Sequence, residues 1–294
     1  MAGDEGAATG RTDVGAREVV DRLGRVGRDV TLVGRLAGGE TGAFKVLRGG
    51  RERLVLKWST DPPTFAERTE AVTLTDRLRT DAGWPVPRQE IVELPGLQVI
   101  LQELLPGEMV TGLTRPLADQ LLDLHERRKG LARFGDASHF GDELVRTLTV
   151  GGRGYCRHDT LQAYDDRTRR LDDRIVEIGR SVEPDGFPSA DIVHWDLHSE
   201  NVLVVDGRVT GIVDTEFALV GDAGFDLVTL ALCSLGGEAG ALLWDRVADE
   251  VDDRLVPVYV AHILLRVVDW EIRNHDAAEV DLWLAEAERR LPTR

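Results

Sequence analysis

Residues Ile192 to Asp214 read IVHWDLHSENVLVVDGRVTGIVD, with two apolar runs, Val202 to Val205 and Val209 to Val213, flanking the pair Asp206-Gly207. Asp-Gly is a favoured two-residue loop for a type I′ hairpin, because both positions need a positive φ. A hairpin on that loop puts Val205 opposite Arg208 and, counting back, Asn201 opposite Ile212. Asp214 then lies two positions further along the same face, and diagonal neighbours of that kind sit roughly 7–8 Å apart. That gap suits an amide oxygen and a carboxylate sharing one octahedral Mg²⁺ at about 2.0–2.1 Å, with phosphate oxygens and waters completing the shell. Asp196, in the loop just before the hairpin, is a candidate catalytic carboxylate. One loop and one hairpin therefore hold an acid and half of a metal site.

The 294 residues, 42% of them hydrophobic, suffice for one large domain or two lobes. The longest apolar stretch, Leu255 to Trp270, is interrupted by Pro257, His262, Arg266 and Asp269, so it fails as a membrane span of about 20 residues. The chain's first residues lack the basic, apolar and small-residue pattern of a signal peptide, so no secretory leader is expected. Its two cysteines, Cys156 and Cys233, are too few for a disulfide framework and lack metal-ligand spacing. A soluble, cytoplasmic protein with reduced thiols is expected. The net charge of -16 argues against nucleic acid or an anionic membrane as partner. Residues 1–105 hold 15 basic and 16 acidic side chains, whereas residues 106–294 hold 21 and 36. Such an excess solvates a surface, and in a cleft it attracts a cation.

Ahead of the hairpin the pattern is mostly extended. Residues 1–12 lack periodicity, and Val14, Val19, Val20, Leu23 and Val26 mark a short amphipathic helix, so residues 1–29 read as an N-terminal extension. Thr31 to Leu36 and Phe44 to Leu47 read as strands. Between them Ala37-Gly38-Gly39-Glu40-Thr41-Gly42-Ala43 is a Gly-rich loop able to present backbone N–H groups to a polyphosphate. Its spacing matches neither a P-loop nor a dinucleotide fingerprint. Arg53 to Trp58 is a third strand with Lys57, one of three lysines in the chain, in its apolar interior. Thr64 to Arg79 reads as a helix carrying Glu67 and Glu70; a glutamate there can pair with Lys57 and hold its ammonium toward phosphate. Leu97 to Leu104 is a further strand, broken by Leu105-Pro106-Gly107-Glu108. The boundary falls there, with residues 30–105 as a small β-rich lobe and residues 106–294 as a mainly helical one, an α+β, bilobal architecture. In the second lobe Leu113, Leu117, Leu121 and Leu124 mark a helix, and His125 at its end reads as structural. Residues 130–160 look irregular, and Asp159 to Arg180 reads as one polar helix. Helices from Phe225 to Leu235 and, two or three of them, from Ala239 to Leu291 close the chain.

A Gly-rich loop, a strand lysine and a helix glutamate, followed by Asp196, Asn201 and Asp214, are the parts of phosphoryl transfer from a Mg-nucleotide. In order and spacing they resemble the aminoglycoside phosphotransferases, relatives of the protein kinases, over nearly the whole chain from about Thr31. The most specific part is His194-x-Asp196-(x)4-Asn201, followed by Ile212-Val213-Asp214, Gly221-Asp222 and Phe225-Asp226-Leu227. The resemblance implies a protein-kinase-like fold with Mg²⁺ and with ATP or GTP as phosphoryl donor. It makes Asp196 the catalytic-loop carboxylate that accepts or orients the proton of the attacking hydroxyl, with Asn201 and Asp214 holding Mg²⁺. Lys57 would contact the α- and β-phosphates, positioned by Glu70, which fits the family's helix pattern better than Glu67. The backbone of Glu40, Thr41, Gly42 and Ala43 would cover the triphosphate, and Gln102, Glu103 and Leu104 would form the hinge against the base. His194 and Asp226 would brace the catalytic loop. Trp195 stands where the family usually has Gly, and Thr215 where it usually has Trp.

The expected function is that of a small-molecule kinase, a monomer or dimer, that phosphorylates a hydroxyl of an antibiotic and so confers resistance. The acidic second lobe favours a cationic, aminoglycoside-like acceptor, for which Glu238, Asp269, Glu271 and Asp276 are candidate contacts. Macrolides, nucleosides, choline and homoserine are alternative acceptors. A nucleotide-binding module without turnover is disfavoured by the joint presence of Lys57, Asp196, Asn201 and Asp214. A metal-dependent phosphatase or nuclease would leave Lys57 and the Gly-rich loop without a task. His198 and Glu216 adjoin the reacting groups in sequence.

Overall fold

The computed structural model describes residues 14–36, 42–133, 135–152, 154–275 and 277–291. Glu40, Thr41 and Asp276 lie outside the described residues. Helix α1 (Ala16–Arg25) leads into strands β1 (Val30–Arg35), β2 (Phe44–Arg48) and β3 (Glu52–Ser59), then α2 (Phe65–Asp81), β4 (Gln89–Leu94) and β5 (Leu97–Glu103). The strands form one antiparallel sheet in the order β1-β2-β3-β5-β4. Side chains alternate across a strand, and the register Lys57↔Ile100 with Leu56↔Leu101 sorts the two faces. Leu54, Leu56, Val99 and Leu101 share a small core with Val19 and Leu23 of α1. The opposite face carries Val55, Lys57, Gln98, Ile100 and Gln102 and looks toward α2, where Gln98 Nε2 donates to Phe65 O at 3.0 Å and Thr69 Oγ1 at 3.1 Å. Lys57 is thus turned toward α2 and the cleft by strand parity alone. Strand β4 has no counterpart in the sequence reading; QEIVEL is short and charged, and its strand character comes from pairing with the apolar β5.

Helix α2 straddles the two halves. Ala71, Leu74 and Leu78 belong to the large core of the helical half, together with Trp84, whose Nε1 donates to Leu124 O at 2.8 Å. The second half contains β6 (Glu108–Met109), α3 (Arg115–Arg128), α4 (Phe140–Val150), α5 (His158–Tyr164), α6 (Asp166–Arg180), β7 (Asp191–Val193), β8 (Val202–Val205), β9 (Arg208–Ile212), β10 (Leu219–Gly221), α7 (Gly224–Cys233), α8 (Gly237–Glu250), α9 (Val256–Asn274) and α10 (Ala277–Arg290). The stretch 130–160, read as irregular, contains α4, and the single polar helix expected after it is two. The break falls at Asp165, whose carboxylate accepts from Thr168 N at 2.7 Å while Thr168 Oγ1 accepts from Asp165 N at 3.1 Å, a reciprocal cap that starts α6.

Phe140 on α4 is the hub of an aromatic cluster, with ring centroids 5.9 Å from Phe187, 5.7 Å from Trp195, 5.8 Å from Phe225 and 6.0 Å from Tyr259. Its ring lies so close to β10 that a Cβ at Gly221 would meet it at 2.5 Å, so this position must be glycine for α4 to seat against Trp195. No described helix is long and apolar enough to cross a membrane.

Candidate active site

The hairpin forms on the expected loop, with Asp206 and Gly207 at φ 49° and 73° and Val205 opposite Arg208. Its register slips by one beyond Val204↔Val209, because Thr210 is bulged out and Leu203 pairs with Gly211. The Thr210 hydroxyl donates to Pro106 O at 2.7 Å and lies 3.3 Å from Leu203 O on the partner strand. Consequently Val202, not Asn201, sits opposite Ile212, a correction to the simple count. Asn201 is carried to the end of the hairpin, where its carbonyl accepts from Val213 N at 3.0 Å, immediately beside Asp214. Asp214 takes a left-handed conformation, φ 60° and ψ 42°, that turns the chain away from the sheet.

The loop that carries Asp196 is held from below. Asp226 accepts from the backbone N–H of His194 at 2.6 Å and of Trp195 at 2.9 Å, and Arg128 pairs with the same carboxylate. Arg128 and Asp226 are both fully buried, an arrangement tolerable only because the charges are paired and further hydrogen-bonded. His194 Nδ1 accepts from Asp196 N at 3.3 Å, and its Nε2 bonds Val213 O at 2.8 Å, tying the loop to the strand that delivers Asp214. Burial lowers the pKa of His194, and Asp226 and Asp196 only partly oppose that. Trp195 has φ 75°, a conformation that glycine adopts freely and other residues at a cost. Here the ring stacks on Phe225, centroids 4.8 Å apart and planes 21° from parallel, and meets Phe140 edge-on, contacts that offset the backbone strain.

Asp196 Oδ2 accepts from Asn201 Nδ2 at 3.3 Å, and the same amide nitrogen donates to Asp196 O at 2.8 Å. The nitrogen being spent on the loop, the amide oxygen is the atom Asn201 has to offer a cation. Asp196 Oδ1 lies 3.0 Å from Arg266 Nη1 on α9 and 3.6 Å from His198 Nε2. Burial alone would raise the Asp196 pKa, but Arg266 and then His198 overrule it and hold the carboxyl well below its usual range.

From the sheet, Lys57 reaches across the cleft and pairs with Asp214 and, at 2.5 Å, with Glu216. Arg68 on α2 holds the other oxygen of Glu216 at 3.1 Å. Lys57 and Glu216 are each only 12% exposed, whereas Asp214 is 45% exposed on the open side. Burial would depress the Lys57 pKa, yet Glu216 and then Asp214 outweigh it, and the ammonium is firmly charged. The expected pairing of Lys57 with Glu70 is absent: among the described residues the lysine's carboxylate partners are Asp214 and Glu216. Arg68, two positions before Glu70, is the α2 residue directed at the site. Thr215, where tryptophan is usual in the family, is buried and accepts from Gln89 Nε2 at 3.1 Å.

Gln102 is buried beside Gln89. The Glu103 and Leu104 N–H groups are taken by Arg88 O at 2.8 Å and Arg53 O at 3.2 Å, so of the three expected hinge residues these two have no amide free for a base. Gly42, at φ 73°, and Ala43 sit at the mouth of the β1–β2 hairpin, where Ala43 O accepts from Leu36 N at 2.8 Å. The acids considered for acceptor contact are largely engaged. Asp269 is fully buried and paired with Arg273 at 2.9 Å, and Glu271 lies 2.5 Å from His275. Glu238 is exposed at the start of α8. Sequence reasoning missed Arg68 and Arg266. Nothing marked Arg68, but Arg266 was visible as a polar interruption one helical turn after His262 in an otherwise apolar run.

The model of the phosphotransferase enzyme family matches residues 33–271. No curated protein matches this chain in sequence. Among solved structures it is similar to a thermostable mutant of aminoglycoside phosphotransferase APH(4)-Ia in ternary complex with ADP and hygromycin B, at 15% identity and TM-score 0.64, covering 95% of this chain and 98% of that one. It is also similar to choline kinase LicA from Streptococcus pneumoniae, at 13% identity and TM-score 0.63 over 94% and 98%. The amicoumacin kinase hAmiN, bound to AMP-PNP and Ca²⁺, follows at 15% identity and TM-score 0.58 over 94% and 97%. At these identities the likeness establishes the fold, a kinase-like one with a β-sheet half and a helical half. With the family model covering most of its length, this chain belongs to the phosphotransferase enzyme family.

Proposed function

We propose that the protein transfers the γ-phosphoryl group of a Mg-nucleotide to a hydroxyl of a small molecule. The nucleotide lies between a lobe of residues 30–105 and one of residues 106–294. The observation that carries this reading is the meeting of Lys57 with Asp214 across the cleft, next to Asn201 and Asp196. Asn201 and Asp214 offer hard oxygen donors, one neutral and one anionic, a set that fits Mg²⁺ with phosphate and water filling the remaining positions. When bound, the metal neutralises charge on the phosphates. With Asn201 and Asp214 holding the metal, Lys57 would hold the α- and β-phosphates. Glu216 keeps its ammonium extended, the task expected of Glu70. Gly42 and Ala43, with Glu40 and Thr41, cover the triphosphate, and Gln102 to Leu104 border the base. Asp196 orients the acceptor hydroxyl in line with the phosphoryl group and takes up its proton as the new O–P bond forms.

An aminoglycoside-like antibiotic is the first candidate acceptor, supported by the acidity of the second lobe and by the hygromycin B complex of a structural relative. A second reading, a neutral alcohol, is favoured by the burial of Asp269 and its pairing with Arg273, which leaves that acid little charge for a cation. One experiment decides both points. Aminoglycosides, macrolides, nucleosides, choline and homoserine are each incubated with Mg-ATP or Mg-GTP and read by mass spectrometry for gain of one phosphoryl group. Phosphorylation of no acceptor with either nucleotide would sink the kinase reading.

A further inference from the structure

Trp195 and Arg266 meet at a point that the roles above do not use. The left-handed turn at Trp195 aims its carbonyl at α9, where Arg266 Nη1 donates to it at 2.8 Å and also lies 3.0 Å from Asp196 Oδ1. One nitrogen thus reads the main chain and the carboxylate of two successive residues. The turn is locked by the indole, which is 4% exposed, stacked on Phe225 and in edge contact with His262 at 4.9 Å. His262 precedes Arg266 by one turn of α9, so the same helix face packs the ring and supplies the guanidinium. Arg266 is itself 15% exposed and is pinned within that face. Asp196 Oδ2 has a separate holder, Asn201 Nδ2.

We propose that Arg266 is the positioning residue for Asp196, a clamp on the Trp195 carbonyl and Asp196 Oδ1 that fixes the rotamer of the carboxylate and presents it to the acceptor hydroxyl. The inference rests on the phosphoryl-transfer reading of Asp196. A carboxylate on a loop has two soft torsions, and a misplacement of about 1 Å from the reacting hydroxyl costs on the order of 10²-fold in rate. The planar guanidinium suits the work because its charge is permanent and its donors are fixed in direction, whereas an ammonium is a compact point charge on a flexible stem.

The test uses the full-length protein and the acceptor found in the panel. Arg266→Ala is expected to lower kcat roughly 10²-fold while leaving the Kd for the Mg-nucleotide, measured by calorimetry, within about twofold. Arg266→Lys recovers part of the loss. Guanidinium ion at millimolar concentration restores about tenfold of the Arg266→Ala rate and does not accelerate the wild type, a rescue that a merely structural role would not produce. A kcat within about threefold of wild type in a folded Arg266→Ala protein overturns the clamp, and so does a loss that guanidinium leaves untouched and that nucleotide affinity follows in parallel. A second measurement needs no turnover: chemical unfolding of Arg266→Ala, Asp196→Asn and the double variant. Clear non-additivity is expected for charges in contact, and additivity overturns the clamp. A wild type that phosphorylates nothing refutes the kinase reading, and the unfolding cycle still decides the clamp.

Discussion

On the helical side of the cleft, His194 to Asp214 is held largely by bonds made within the stretch, with Asp226 beneath it and Arg266 of α9 beside it. Asn201 bonds Asp196, His194 bonds Asp196 and Val213, and Asp226 takes two loop amides. On the sheet side, Lys57 is held by groups far away in sequence, Asp214 lying 157 residues on. Local bonds make much of the first geometry a property of the segment. The second exists only when sheet, α2 and the chain after β9 are brought together. The two sides should therefore respond differently to substitution: in the proposed mechanism the helical side supplies the reacting carboxylate and its rigid seat, and the sheet side tunes how well a phosphate is held.

The largest effect is expected from Asp196→Asn, which keeps the shape of the side chain and removes the proton acceptor. Phosphoryl transfer should fall by about 10²–10⁴-fold, while calorimetry finds nucleotide affinity nearly intact, because Lys57 and Asp214 are untouched. A variant retaining most of its activity would show that the hydroxyl needs no acceptor at this position.

Asp226→Asn probes the seat itself. It leaves Arg128 buried and charged with its ion-pair partner gone, and breaking such a pair costs about 3–5 kcal/mol. Chemical denaturation should show that loss together with lowered turnover. A loss under about 1 kcal/mol would mean that the seat is held by the backbone bonds without the pair.

On the sheet side, Glu216→Gln against Glu70→Gln separates the two accounts of Lys57. A hydrogen bond to a charged group contributes about 1.5–3 kcal/mol. Glu216→Gln should accordingly lower kcat/KM for the nucleotide roughly 10- to 100-fold, and Glu70→Gln should stay within about twofold. The reverse ranking would show that nucleotide binding swings α2 to make the glutamate pair read from the sequence.

The same contrast governs what could be read without coordinates. The hairpin was legible because its determinant, Asp206-Gly207, is local, and the order of Asp196, Asn201 and Asp214 carried the site. The bulge at Thr210 was not, since it depends on a hydroxyl bond to Pro106, 104 residues away. Strand β4 is not legible in its own residues because its neighbour, not its own pattern, makes it a strand. Glu70 is a glutamate on the helix facing Lys57, but helix phase and tertiary packing present Arg68 to the site instead. Arg266 showed as an intrusion in an apolar run, yet nothing in its vicinity names Asp196 as its partner.

His125 gives the smallest and most graded test, at the far end of the brace. It is 2% exposed; its Nδ1 faces Arg128 Nη2 at 3.1 Å and its Nε2 faces Glu250 at 3.1 Å. Burial first, then Arg128 and Lys129, push its pKa down to about 4 from 6.5. Between those values the unfolded chain binds a proton that the folded chain does not, so stability is full above the unfolded value and falls as pH drops through the window. The slope from one such group is at most about 1.4 kcal/mol per pH unit. Glu250 also has a depressed pKa, but its stabilisation is lost only nearer its ordinary value of 4.5 and below, so pH 5 to 6.5 isolates the histidine. His158, whose pKa is raised, contributes a slope of the opposite sign, and His194 and His262, both lowered, add to it. All three are common to wild type and variant and cancel in the difference. Denaturation curves across that window should be flatter with pH for His125→Gln than for wild type. Parallel curves would mean that His125 keeps an ordinary pKa when folded, and that the brace reaching from Glu250 through Arg128 to the catalytic loop is open to water.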